Sequence, residues 1–207
     1  MKLYYAPGAC SQAPHIILHE LGLHHDSARV NFPSKTLDDG SSYLNVNPKG
    51  AVPALELDNG EVLTENAVIL QYLGDRAGSP ELLPPVGDFR RYKVLEWMNY
   101  IATELHKGFG PLWNPATSDE MKQQTRNVVA GKFDYVEQRL GEGPYLMGER
   151  LTLADAYLFV VLGWAKVHQI DLSRWPGLTA YRERMKQRPS VRQVLEFEGL
   201  VEKEPAS

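Results

Sequence analysis

Gly78-Ser79-Pro80 and Pro84-Pro85 lie close together in this chain, a stretch that neither a helix interior nor a strand accommodates well. The hydrophobic pattern changes across it. Before it, short strand-like runs alternate with helical ones. After it, Phe89, Tyr92, Val94, Leu95, Trp97, Met98, Ile101 and Leu105 recur at helical spacing, and no convincing strand pattern follows. A chain interrupted in this way folds as two units, and 207 residues suffice for two cores. The expected fold class is therefore α/β plus all-α: an α/β domain over 1–78, a linker over 79–86 and an all-helical domain over 87–207. Charge divides along the same line. Residues 1–78 hold 5 Lys+Arg and 9 Asp+Glu, whereas the remainder holds 17 of each.

In the first unit, Lys2-Leu3-Tyr4-Tyr5 reads as a strand, Ala6-Pro7-Gly8-Ala9 as a turn and Ser11–Leu21 as a helix. Ser27–Asn31 reads as a second strand, which a right-handed crossover would place parallel to the first. Ser41–Val46 is a candidate short helix before the turn cluster Asn47-Pro48-Lys49-Gly50. Ala54–Leu57 and Glu61–Leu63 flank Asp58-Asn59-Gly60, a hairpin signal that pairs them antiparallel. Thr64-Glu65-Asn66 then opens a helical run from Ala67 to Leu73. In the second unit, Met121–Leu140, Leu153–Val167, Leu178–Arg188 and Val191–Gly199 read as helices.

Bulk properties narrow the function classes. A net charge of −4 and a pI near 5.9 argue against nucleic acid or an anionic membrane as the main partner. No apolar run is long enough to span a bilayer, and the Lys-Leu-Tyr-Tyr start does not resemble a secretory signal. A single cysteine rules out an internal disulfide, and a reducing cytoplasm is the expected compartment.

That cysteine, Cys10, falls where the first strand turns into a helix. There it would face unpaired backbone N–H groups and the positive end of the helix dipole, which favour thiolate. The other reading is a small buried hydrophobe. Position 13, where a dithiol oxidoreductase carries its resolving cysteine, is alanine, so any disulfide chemistry would need an external thiol. Tyr5 and Ser11 are candidate hydrogen-bond donors to a sulfur anion, or else a packing residue and a helix cap. At Val52-Pro53 a cis bond would expose the backbone of Val52 to an extended peptide, and a trans bond would merely open an edge strand. Glu65 suits an ammonium and the Asn66 N–H a carboxylate, unless Thr64 and Glu65 only cap the helix.

In the helical unit, Thr152-Leu153-Ala154-Asp155 matches a capping box and reads as folding information. His106 near Gly108 is not a site on its own merits. His15 and His19 are four apart on one helix, but no acidic ligand follows, so no metal site is expected from the six histidines. Ala6-Pro7-Gly8-Ala9 lacks the glycine spacing of a phosphate loop.

Taken together, Met1–Ser11 with its cysteine, Asn47-Pro48-Lys49-Gly50, Val52-Pro53, Leu63-Thr64-Glu65, Glu104-Leu105-His106-Lys107 and Ala154-Asp155-Ala156-Tyr157-Leu158 resemble the bacterial beta class of glutathione S-transferases over nearly the whole chain. The resemblance implies a thioredoxin-like N-terminal domain and an all-helical C-terminal domain. It implies a cytoplasmic homodimer using glutathione as co-substrate, with small apolar electrophiles as second substrates and no metal. Carried across by position, Cys10 would lie beside the glutathione sulfur, and Val52, before a cis Pro53, would pair with the cysteinyl backbone. Glu65 and Asn66 would hold the γ-glutamyl end, and Lys35 the glycine carboxylate. Asn99 and His106 would approach the sulfur region. Asn66 departs from the serine or glycine of many members, but it keeps the backbone N–H. Phe109, Pro111, Leu112, Trp113, Trp164 and Val167 are candidates for an apolar pocket or for helical core. Conjugation of glutathione through a stabilised thiolate is the implied activity. Monothiol disulfide reduction, reductive dehalogenation and non-catalytic binding of apolar ligands are the alternatives.

Overall fold

The computed structural model describes residues 1–141 and 143–201, and its contacts divide the chain into two compact units: Met1–Leu73 with the segment from Lys186 onward, and Gly74–Met185. The first unit is a five-stranded mixed sheet with helices. Its strands are β1 (Lys2–Tyr5), β2 (Asp26–Asn31), β3 (Thr36–Leu37), β4 (Ala54–Glu56) and β5 (Val62–Thr64), in the order β3-β2-β1-β4-β5. β1 and β2 run parallel, joined through α1 (Gln12–Glu20), and the other pairings are antiparallel. Pro14 sits in the first turn of α1, where no intrahelical acceptor awaits its missing N–H. The β4–β5 hairpin turns at Asp58-Asn59-Gly60, with Gly60 supplying the positive φ of 85°. Two residues are too few to give β3 a periodic signal, and the sequence reading has no counterpart for it. Instead of a longer helix at 41–46, a single 3₁₀ turn forms at Tyr43–Asn45.

β5 leads into α2 (Asn66–Ala77). Leu3 of β1, Ile16, Ile17 and Leu18 of α1, Leu55 of β4 and Ile69, Leu70 and Leu73 of α2 are fully buried. Tyr4, Ala6, Val30, Tyr43, Val52 and Ala54 form a second core cluster. The last helix, α8 (Pro189–Phe197), packs on α1 within this unit.

The second unit is helical: α3 (Phe89–Tyr100), α4 (Gly110–Trp113), α5 (Asp119–Leu140) and α6 (Leu153–Val167), with α7 (Pro176–Lys186) ending at its boundary. α6 is apolar on nearly all sides, as a buried central helix must be, and its residues 153–162 are all buried. Its start is the predicted capping box. Thr152 N–H and Oγ–H donate to Asp155, which also accepts from the Leu146 N–H at 2.9 Å. The architecture is thus the expected one, a mixed α/β sheet unit and an all-helical unit.

Candidate functional site

The loop after β1 closes on itself. Ser11 Oγ accepts from the Ala6 N–H at 3.1 Å and lies 3.3 Å from the Ala6 carbonyl, to which it donates. Ser11 is therefore not a side-chain cap for α1; its hydroxyl is engaged with Ala6 and fixes the turn that carries Cys10. Cys10 is buried, and its Sγ–H donates to the Val52 carbonyl at 3.2 Å. Burial pushes the thiol up to about 12, overriding the backbone N–H groups of Cys10 and Ser11 that pull the other way. Of the two sequence readings of Cys10, the surroundings are those of the small buried thiol. α1 begins two residues after Cys10, and a desolvated sulfur facing a carbonyl oxygen keeps its proton. Tyr5 is also redirected. Its ring packs 5.6 Å from both His15 and Phe197, while Tyr4, on the other face of β1, and Ala6, just beyond the strand, share a cluster with Val52.

Across from Cys10 the Val52–Pro53 bond is cis. The loop bearing it is anchored by side chains that sequence reasoning did not single out. Tyr43 OH and Asn47 Nδ2 both donate to the Ala51 carbonyl, at 2.8 and 2.7 Å. Among the described residues, none accepts from the Val52 N–H. Lys35, held at a φ of 55°, donates to the Gly50 carbonyl at 2.8 Å and lies over the Phe32 ring. Lys49 was also missed. It donates to Thr64 Oγ1 and pairs with Glu65, and its only signal in the sequence was its place in the Asn47–Gly50 turn.

Glu65 adopts a φ of 72°, and its carboxylate is exposed. Asn66, the first residue of α2, is buried, yet neither its Nδ2 nor its Oδ1 has a hydrogen-bond partner. Native structures rarely leave a buried amide so. The first unit thus gathers Cys10, Val52, Pro53, Glu65, Asn66 and Lys35 around one backbone edge.

His106 and Asn99 belong to the helical unit. The chain from α3 widens into a π-helical turn at Ile101–His106, a local irregularity that recurs at functional positions. His106 Nδ1 lies 2.7 Å from Tyr157 OH, and its ring is 4.8 Å from that of Trp164. Burial lowers its pKa to about 4, with the Lys107 charge adding to the effect, so the imidazole is neutral at pH 7. Asn99 is exposed on α3, and its carbonyl accepts from Thr103 Oγ1. Of the apolar candidates, Phe109, Leu112 and Trp164 are buried, whereas Pro111, Trp113 and Val167 are exposed.

The histidines depart from expectation. His15 and His19 of α1 meet His25, which enters from the segment before β2, and one ring nitrogen of each lies within 4.8 Å of the other two. The sequence offered only the first two at ligand spacing. Among the described residues, no helix is long and apolar enough to cross a membrane.

Comparison with known proteins agrees with this arrangement. Residues 8–76 match the family model for the glutathione S-transferase N-terminal domain, and residues 100–189 match that for the C-terminal domain. The chain is 48% identical over 200 residues to glutathione S-transferase GstA of Escherichia coli O157:H7, covering 97% of this chain and 100% of that protein. Two solved structures superpose on it with a TM-score of 0.93, each covering 97% of this chain and 100% of its own. One is a sphingomonad glutathione S-transferase complexed with glutathione, 41% identical; the other is a bacterial beta class enzyme from Sphingomonas chungbukensis, 42% identical. Both units and nearly every residue are accounted for by these matches, and the chain belongs to the glutathione S-transferase family, with bacterial beta-class enzymes as its structural neighbours.

Proposed function

We propose that this protein joins glutathione to small apolar electrophiles, and that the tripeptide lies along the Val52 edge of the first unit. The unpartnered buried amide of Asn66 carries the reading, because it is a polar group prepared for a ligand that the protein itself does not supply. The Val52 N–H is the matching backbone group, offered to the cysteinyl carbonyl of an extended peptide. Glu65 receives the γ-glutamyl ammonium, and Asn66 with the open N–H groups of the first turn of α2 receives the adjoining carboxylate. Lys35 takes the glycine carboxylate, with Lys49 as a second cation nearby in the loop.

Cys10 then acts as a neutral donor. Its retained proton, which points at the Val52 carbonyl, turns from that oxygen to the glutathione sulfur as the peptide binds, and so stabilises the glutathione thiolate without adding a second anion. That thiolate attacks the electrophilic carbon; the C–S bond forms, the leaving group departs with its bonding electrons, and the thiol proton goes to solvent. A cysteine held protonated is a poor attacking sulfur, which disfavours disulfide exchange through Cys10. Phe89 and Tyr92, exposed apolar residues on α3, support a homodimer, and the lone cysteine supports a cytoplasmic setting.

The test is a conjugation assay with glutathione and a chloronitrobenzene, alongside calorimetric titration with glutathione alone. Saturable conjugation is expected, with Cys10→Ala retaining glutathione binding. Absence of both binding and turnover over several electrophiles overturns the reading.

A further inference from the structure

His15, His19 and His25 form a second constellation in the first unit, made of residues that have no part in the proposed glutathione site. His15 and His19 are one turn apart on α1 and share a face. His25 closes the triangle: the ring centroids are 5.2, 5.4 and 5.3 Å apart. Three imidazoles brought this close without a carboxylate between them call for an explanation, and the groups around them supply one.

Two of the three rings have one nitrogen already committed to an oxygen. His25 Nδ1 lies 2.9 Å from the Leu23 carbonyl. A carbonyl has no proton to give, so Nδ1 carries the hydrogen and Nε2 is left with its lone pair. His15 Nδ1 lies 3.3 Å from Glu198 Oε1, and a carboxylate imposes the same tautomer. Glu198 is held in turn by the Gly8 N–H at 2.9 Å and by Gln12 Nε2 at 3.0 Å. The His15 ring is packed by Tyr5 and by Phe197. Gln193 of α8 lies beside His19. An imidazole whose far nitrogen is fixed by a carboxylate or a carbonyl is the outer arrangement found around metal-binding histidines.

We propose that His15, His19 and His25 bind one divalent transition-metal ion of the zinc type through a ring nitrogen each, Nε2 in His15 and His25, with Glu198 as the outer partner of His15.

Three neutral nitrogen donors suit zinc, nickel or copper and do not suit magnesium or calcium. Nitrogens bound tetrahedrally at about 2.0–2.1 Å lie about 3.3 Å from one another, and each of the three rings has a nitrogen within 4.8 Å of the other two, so the rings must draw closer to share one ion. His15 is buried and fixed, whereas His19 and His25 are half-buried. They are the rings free to close, and the side from which an ion and a completing water enter. A bound ion would tie α1 to the segment before β2 and, through Glu198, to the end of α8.

The full-length protein, stripped with a chelator, is titrated with zinc sulfate by calorimetry and with cobalt(II) chloride by visible absorption, both without glutathione. One ion per chain is expected, with the intense cobalt bands of a low-coordinate nitrogen site. His19→Ala combined with His25→Ala should weaken zinc binding at least 100-fold, and His25→Gln alone should also weaken it. His24→Ala, an exposed neighbour, should leave it within twofold. Glu198→Gln should weaken it by about 10–100-fold. Both ligand positions are half-buried, so the chelated variants should keep the wild-type circular dichroism. No zinc uptake at micromolar concentrations, or equal uptake by wild type and the double variant, overturns the proposal.

Discussion

Each unit contains a buried acidic side chain that accepts from three residues or groups, and the two differ in reach. In the helical unit, Asp155 gathers the Leu146 N–H and the Thr152 N–H and hydroxyl, all within nine residues. In the first unit, Glu198 gathers Gly8, Gln12 and His15, each more than 180 residues earlier in the chain. The chemistry is the same, but the consequences are not. Asp155 secures the start of one helix. Glu198 fixes the end of the chain against the loop that holds Cys10, so it bears on stability and on site geometry together.

Truncation should expose the difference. Asp155→Ala leaves three buried donors without an acceptor and removes the cap, a loss of about 4 kcal/mol. The thermal midpoint should fall by roughly 8–16 °C, with glutathione affinity nearly unchanged. Glu198→Ala should be milder in denaturation, about 3 kcal/mol, yet should weaken glutathione binding several-fold because the Gly8 N–H loses its anchor. Urea melts and glutathione titrations of both variants decide it. If Asp155→Ala weakens binding as much as Glu198→Ala does, the comparison between local and long-range roles fails.

The same contrast governs what could be read in advance. Thr152 and Asp155 announce themselves because a capping box is a spacing of three residues. The β4–β5 hairpin announces itself through Asp58-Asn59-Gly60, and α6 through its length and apolarity. Glu198 has no such signature, since nothing local marks a carboxylate whose donors are Gly8, Gln12 and His15. The histidine cluster was half visible for the same reason: His15 and His19 share a helix face, and His25 joins them only by folding. Cys10 is ambiguous in the sequence, which allows a thiolate at a helix start or a small buried side chain. The direction of its thiol and its burial are tertiary facts, and together they outweigh the dipole. The Val52–Pro53 edge was legible as a possibility, with the cis form decided by the loop that Tyr43 and Asn47 hold.

pH sharpens the comparison by a smaller amount. Burial raises Asp155 to about 6, while its hydrogen bonds oppose the rise. For a carboxyl raised on folding, the native state binds the proton more tightly than the unfolded chain does. Its contribution is therefore fully present below the unfolded value and is lost as pH rises through about 6. Asp155→Asn does not titrate. The stability gap between wild type and Asp155→Asn should accordingly widen by about 2 kcal/mol on going from pH 7 to pH 4.5. A gap that narrows on acidification would mean that the three donors outweigh desolvation.

The smallest effect concerns Asn66, which stands apart from both acids because its buried polar atoms have no partner in the protein. An amide in that condition weakens the ligand-free fold, whereas an amide satisfied by a ligand strengthens the complex. Asn66→Ala should therefore leave the ligand-free protein as stable as wild type, or more stable by up to about 1 kcal/mol, despite the volume lost. Glutathione affinity should fall about 5–10-fold, the size of one hydrogen bond, because the backbone N–H groups of α2 and Glu65 remain. Denaturation separates this outcome from packing: a residue placed only to fill the core would lower ligand-free stability and leave binding unaltered. The opposite signs of the two changes, stability held and affinity lost, are what mark Asn66 as a group placed for the ligand, in contrast to Asp155 and Glu198, whose hydrogen bonds are complete without it.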